Sequence, residues 1–130
     1  MTQTAESLLR EIGFAVIHFR EVYRRWCRER GLSYHELLIF YTLRDLGECT
    51  QKTICDFYAL PKQTVHNRVR SLQSRGLLTL RQQDGNRRER LLQLTGKGKL
   101  YSETFMKPLL EGELAAAEKT GPGKSRSGGS

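Results

Sequence analysis

The chain has 130 residues, 38% hydrophobic and 28% charged, with 22 Lys and Arg against 14 Asp and Glu and a net charge of +8. That length fits one domain with a single core, and the absence of any run of about 18 apolar residues excludes a helical membrane span. The polar start MTQTAESLLREIG has no signal-peptide core, and three cysteines (Cys27, Cys49, Cys55) without CxxC spacing argue against a disulfide framework and fit a reducing, cytoplasmic compartment.

A long first helix is expected from about Ala5 to Arg30. Leu8, Leu9, Ile12, Ala15, Val16, Phe19, Val22, Tyr23 and Trp26 recur at three- and four-residue steps and form one apolar stripe opposite a charged face. Such a helix needs an apolar partner along much of its length. Gly31 ends it. Ser33 with Glu36 has capping-box spacing and opens a second helix, rich in Leu, Ile and Phe, that should be central to the core. Gly47 ends this one, and Glu48-Cys49-Thr50 is long enough only to pair at a sheet edge.

Thr50 is placed to cap a short third helix, Gln51 to about Tyr58, with Ile54, Cys55 and Phe57 or Tyr58 inward. After the turn at Ala59-Leu60, Pro61 suits the first position of a fourth helix that runs to about Arg75. Val65, Val69 and Leu72 follow i, i+4, i+7 and face inward. Gln63, Thr64, His66, Asn67, Arg68, Arg70 and Ser71 then face outward. Two short helices and a tight turn make a helix-turn-helix pattern. Gly76 ends it. Strands are expected at 77–81 and 89–94, with a loop at 82–88 between them. Thr95 caps a last helix that Pro108 should kink. The tail GPGKSRSGGS has the composition of a disordered segment. The fold class is thus mainly α with a small β-hairpin wing. Its divisions are a long first helix at 1–32, a winged helix-turn-helix at 33–94, a last helix at 95–119 and a tail at 120–130.

Residues 61–100 hold ten basic residues and two acidic ones, Asp84 and Glu89. Ten minus two is +8, the charge of the whole chain; the rest balances at 12 against 12. A concentrated positive footprint of this kind fits a polyanion, and nucleic acid is the obvious one. Gln63, Thr64, His66, Asn67 and Arg68 are candidates for base edges, since Asn and Gln can pair with adenine and Arg with guanine. Lys62, Arg70 and Arg75 suit phosphates. Arg87 and Arg88 are sized for a minor groove. The rival reading is a winged-helix module whose basic face meets an acidic protein, but a protein-binding helix would show an apolar anchor where this one shows Asn, Gln and Thr. An RNA-binding role would call for aromatic stacking residues that the basic segment lacks.

Thr64-Val65 and Leu72, then Gly76-Leu77-Leu78, then an Arg-rich wing closing on Leu-x-Leu-Thr-x-x-Gly (Leu92 to Gly98) together resemble the MarR family of bacterial transcription regulators. The resemblance implies a cytoplasmic homodimer with intertwined first and last helices. It also implies a repressor that reads a palindromic operator in double-stranded DNA and is released by a small aromatic effector. Phe19, Tyr23, Trp26, His35 and Tyr41 are the implied lining of an effector pocket. The family's wing carries an Asp two residues before an Arg. Here Asn86 and Arg88 hold those places, with Asp84 as the nearest substitute acid. The last helical region is also shorter than the family pattern.

Among the cysteines, Cys27 stands beside Arg24, Arg25, Arg28 and Arg30 and is the candidate redox thiol. Cys55 is expected to be a small core residue. His18, His35 and His66 share no ligand spacing, so neither a metal nor a cofactor is expected. No phosphate loop, nucleophile elbow or paired carboxylates point to an enzyme.

Overall fold

A computed structural model describes residues 4–120 except Asp84, and the side chains of Gln83, Asn86, Arg87, Arg88 and residues 114–120 are outside the description. The elements in order are α1 (Ala5–Glu29), α2 (Tyr34–Leu46), α3 (Gln51–Tyr58), α4 (Lys62–Ser74), β1 (Leu78–Gln83), β2 (Asn86–Leu94) and α5 (Gly96–Thr120). The chain divides into two compact units, residues 1–39 and 40–130.

In the first unit, Thr4 caps α1 by accepting from the Ser7 amide at 3.0 Å. At the other end Gly31 takes a φ of 68°. That lets Leu32 N–H reach the Cys27 carbonyl at 2.9 Å and Gly31 N–H reach the Arg28 carbonyl at 3.2 Å. These two bonds satisfy carbonyls that a helix end otherwise leaves open. Along α1 the apolar stripe is exposed: Leu9 is 69% exposed, Ile12 51%, Phe19 57% and Val22 44%. Ser33 opens α2 as expected, accepting from the Glu36 amide at 3.3 Å.

In the second unit the core gathers Phe40, Leu43, Ile54, Val65, Val69, Leu72, Leu77, Leu78, Leu92, Phe105, Met106 and Leu109, all buried. Phe40, Tyr101 and Phe105 make a mutual cluster with centroids 5.4–5.7 Å apart. β1 and β2 pair antiparallel, with Leu78 opposite Leu94 and Leu80 opposite Leu92. Both strands run further than the sequence pattern shows. Pairing continues to Gln82 opposite Arg90 and, past a register shift, to Gln83 opposite Asn86. Ladder hydrogen bonds thus override the polar composition that marked 82–88 as loop. The expected edge pairing occurs as a bridge between Cys49 and Leu92.

Several local expectations change. Pro61 is the cap residue of α4, with extended ψ of 146°, and Lys62 is the first helical residue. Tyr58 turns inward and shares a 2.8 Å hydrogen bond with Thr42, whereas Phe57 is 61% exposed. Cys49 is the buried cysteine of this unit, and Cys55 is only half-buried. Pro108 lies inside α5, where the sequence places it. The tail expectation falls on residues 121–130, outside the described residues.

Candidate nucleic-acid interface

Three local devices set α4. Thr50 caps α3 through the Thr53 amide at 3.2 Å. Ala59 then reverses the chain in the left-handed region at φ 53°, and Leu60 N–H closes the turn on the Cys55 carbonyl at 3.1 Å. Val65, Val69 and Leu72 are at most 1% exposed and pin one face of α4. With that face fixed, helical geometry obliges Lys62, Gln63, His66, Asn67, Arg68 and Arg70 to stand outward, and all six are exposed. Thr64 lies between the two faces and is half-buried.

The exposed amides are organised. Gln63 Nε2 donates to Asn67 Oδ1 at 2.9 Å. This engages the Asn67 oxygen and leaves the Gln63 oxygen and the Asn67 NH2 to face outward as an acceptor beside a donor. A groove of about 610 Å³ runs beside them, lined among others by Gln51, Lys52, Lys62, Gln63, His66 and Arg90. Asp56, an acid on this face, is tied to Lys52 Nζ at 2.8 Å.

Arg75, at the end of α4, is exposed as well. Its guanidinium lies 5.6 Å from the Tyr101 ring centroid and donates to the Tyr101 hydroxyl at 3.4 Å. Its carbonyl accepts from Lys97 Nζ at 3.1 Å. Position at the far end of α4 sends this side chain to α5. Arg87 and Arg88 lie on β2 next to the hairpin end; their side chains, and the wing brace sought at Asn86, Arg88 and Asp84, are outside the described residues.

The sequence reading missed Glu48. Its Oε1 accepts from Arg81 Nη2 and from Gln93 Nε2, each at 2.8 Å. The partners are 33 and 45 residues away. The only advance signal was the Glu48-Cys49-Thr50 segment itself, which was expected at a sheet edge.

The five aromatic and polar residues assigned to an effector pocket each have a defined contact. Phe19 stacks on Tyr23 at 4.8 Å, and Arg30 covers Trp26 at 4.1 Å. His35 tilts against Tyr34 at 5.8 Å, and Tyr41 donates to Glu113 Oε1 at 3.0 Å. Burial pushes the Glu113 carboxyl up.

Cys27 lacks the exposure that a reactive thiol needs. It is 1% exposed, and burial raises its pKa more than Arg30 lowers it. The neighbouring arginines face outward: Arg24 lies over Tyr34, Arg30 over Trp26, and Arg28 Nη2 is 3.9 Å from Glu21. Burial also pushes the Cys49 thiol from 9.0 up to about 11. The sign of the effect follows. Above pH 9 the unfolded chain has shed thiol protons that the folded chain keeps, so stability is full below that pH and falls as pH rises toward 11. The two-unit shift at Cys49 corresponds to on the order of 2–3 kcal/mol at the upper limit. Urea midpoints should drop across this window in the wild type and drop less in Cys49→Ala; parallel curves would refute the assignment.

Among the described residues no helix is long and apolar enough to cross a membrane. A MarR family model matches residues 30–89. The chain is similar to a MarR family regulator from Neisseria meningitidis, with 29% identity over 92% of this chain and 84% of that one and a TM-score of 0.75. It is similar in fold to the transcriptional regulator BldR from Sulfolobus solfataricus, with 17% identity over 92% and 90% of the two chains and a TM-score of 0.70. It is likewise similar in fold to BpsR of Bordetella bronchiseptica, whose DNA binding is regulated by 6-hydroxynicotinic acid, with 23% identity over 96% and 87% and a TM-score of 0.63. Comparison with curated proteins gives no match.

Proposed function

We propose that this chain, whose residues 30–89 match a MarR family model, is a sequence-specific, DNA-binding transcriptional regulator that acts in the cytoplasm as a homodimeric repressor on a palindromic operator. The observation that carries this reading is the outer face of α4. Buried Val65, Val69 and Leu72 hold it in place, and it offers amides and cations with no large apolar side chain. Lys62, Gln63, Thr64, His66, Asn67, Arg68 and Arg70 meet the major groove and its phosphates, while Arg87 and Arg88 take the adjacent minor groove.

Dimerisation is assigned to residues 1–32 and 95–119, with DNA reading at 33–94. MarR regulators act as dimers. The exposed stripe of α1, from Leu8 to Val22, is a larger apolar surface than a monomer usually leaves in water.

Selection from random DNA at physiological salt tests the whole reading. The expected product is an inverted repeat with half-sites about one helical turn apart. Recovery of unrelated sequences would overturn it, and would favour the acidic-protein alternative if the chain then captured acidic polypeptides.

The Gln63–Asn67 pair gives a sharper expectation on the selected site. Adenine is the base whose own edge carries an acceptor beside a donor, which matches the outward groups of the pair. Gln63→Ala and Asn67→Ala should each weaken binding by about 1–3 kcal/mol. Because the two side chains act as one unit, the double variant should cost less than the sum, by more than the ~0.5 kcal/mol scatter of independent sites. Fluorescence anisotropy on matched duplexes measures this, and additive losses would separate the two residues.

The likeness to BpsR supports release by a small aromatic effector. A cavity of about 290 Å³ is lined by apolar Leu43, Leu94 and Met106 beside Arg44 and Lys99, with one acid, Glu103. The apolar walls would take a ring and the cations a carboxylate.

A further inference from the structure

We propose that Glu48 is the positioning residue of the wing, taking over at the hairpin's base the role that an acid near its tip would play; this rests on the DNA-binding reading above. One carboxylate oxygen accepts from Arg81 on β1 and from Gln93 on β2, each at 2.8 Å. In the ladder Thr79 stands opposite Gln93 and Arg81 opposite Leu91, so Arg81 and Gln93 are diagonal neighbours on the two strands. A single acid therefore ties both strands together. The next residue fixes the same place through the backbone: Cys49 N–H donates to the Leu92 carbonyl at 3.3 Å, and Leu92 N–H to the Cys49 carbonyl at 2.7 Å.

The segment that carries this clamp leads directly into Thr50, the cap of α3. The hairpin is thus anchored to the element that sets the helix-turn-helix. Beyond Arg81 and Gln93 the strands run several residues to the turn at Gly85, a lever of roughly 10 Å at about 3.3 Å per residue. A small change of angle at the base displaces the end by several ångströms, enough to move it out of a groove.

The electrostatics have the same implication. An acid on the basic face of a DNA-binding protein opposes phosphate, and it also holds the Arg81 guanidinium away from it. The structure keeps a charge that weakens general attraction and gains a fixed hairpin. Glu48 and Arg81 are half-exposed, so the pair alone is a modest tie, and the strength lies in its combination with Gln93 and the Cys49–Leu92 bridge.

The test uses the full chain on the selected operator, with hydroxyl-radical footprinting of the minor-groove flanks and competition between wild-type and flank-scrambled duplexes. In Glu48→Ala, flank protection should disappear and flank discrimination should fall by about tenfold, the scale of one or two lost charge-assisted contacts. Preference for the central half-site bases, which α4 reads, should be retained. Glu48→Gln should be intermediate, since its amide oxygen still accepts from Gln93. Arg81→Ala leaves the Gln93 contact and should also give partial loss, which keeps the test open if Glu48→Ala does not fold. Retained flank protection in Glu48→Ala or Arg81→Ala would overturn the proposal. So would a uniform gain of affinity on all sequences, because Arg81 would then act as a phosphate ligand that Glu48 merely suppresses. Failure of the wild type to select any site would instead overturn the DNA-binding reading.

Discussion

Raising salt from about 50 to about 200 mM is expected to cost this protein about four decades of affinity for its site, with a log–log slope near −7. The count behind that slope starts from the basic residues of the cluster. Among the ten basic residues in 61–100, some contact the protein's own groups. Arg75 is held on Tyr101, Arg81 on Glu48, and Lys97 Nζ on the Arg75 carbonyl. Lys99 lies on α5, where it lines the cavity beside Arg44. Six remain on α4 and the hairpin, Lys62, Arg68, Arg70, Arg87, Arg88 and Arg90; with Arg87 and Arg88 assigned to the minor groove, about four per protomer and about eight per dimer are left for phosphate, each worth about 0.9 in slope. Single variants divide the cluster. Arg70→Ala should reduce the slope by about two per dimer and weaken all sequences alike, as a phosphate contact does. Arg75→Ala should reduce the slope less than Arg70→Ala does, because its guanidinium also contacts Tyr101. A wild-type slope shallower than about −3 would refute the electrostatic reading, and equal effects from Arg70 and Arg75 would refute the division.

How far the sequence foretold this arrangement depends on the range of the interaction. Thr50, Ser33, Gly31 and Gly76 act on neighbours within five residues, so their roles could be read from local chemistry alone. The inward set Val65, Val69 and Leu72 was legible for the same reason, since one helical period fixes it. Charge was legible in sum but not in detail. The sequence placed Arg75 with the phosphate ligands, and nothing local shows that its guanidinium also contacts Tyr101, 26 residues on. Cys27 misled in the same way, because a run of arginines around a thiol says nothing about which side of the helix is buried. Glu48 was unreadable because the hairpin must fold before its two partners meet. The length of the hairpin was also hidden, as Gln82, Gln83 and Asn86 have loop-like composition and are held in strand by their cross-strand partners.

The greatest loss of stability from one added methyl group is expected at Gly98. A Cβ there would lie 1.9 Å from the Leu77 carbonyl oxygen, 2.9 Å from its carbon and 3.3 Å from its Cα. All three are backbone atoms, so no side chain can swing aside. The backbone cannot yield cheaply either, because this is the junction where α5 locks onto the end of α4. Gly76, at φ 76°, lets Leu77 N–H bond the Leu72 carbonyl at 3.0 Å and so closes α4. Thr95 then grips the same turn, its N–H on the Leu77 carbonyl at 3.1 Å and its hydroxyl on the Gly76 carbonyl at 2.7 Å. The Thr95 hydroxyl oxygen also accepts from the Gly98 amide at 2.9 Å and caps α5. A methyl group at 98 must push α5 away from Leu77 and loosen all of these bonds together. Overpacking alone costs about 1–3 kcal/mol, and a lost cap adds about 1 kcal/mol. Gly98→Ala should therefore lose about 3 kcal/mol, a fall in Tm of roughly 10 °C for a chain of this size. Gly112, also in α5 but with nothing within 4 Å of an added Cβ, is the control. There alanine should stabilise by up to about 1 kcal/mol, because it narrows the unfolded ensemble without a clash. Urea melts of the two variants decide the matter: opposite signs are expected, and a Gly98→Ala midpoint matching the wild type would show that α5 does not rest on Leu77. The same steric demand accounts for the glycine that closes the Leu-x-Leu-Thr-x-x-Gly pattern: the residue three beyond the capping threonine lies over the carbonyl that the threonine binds.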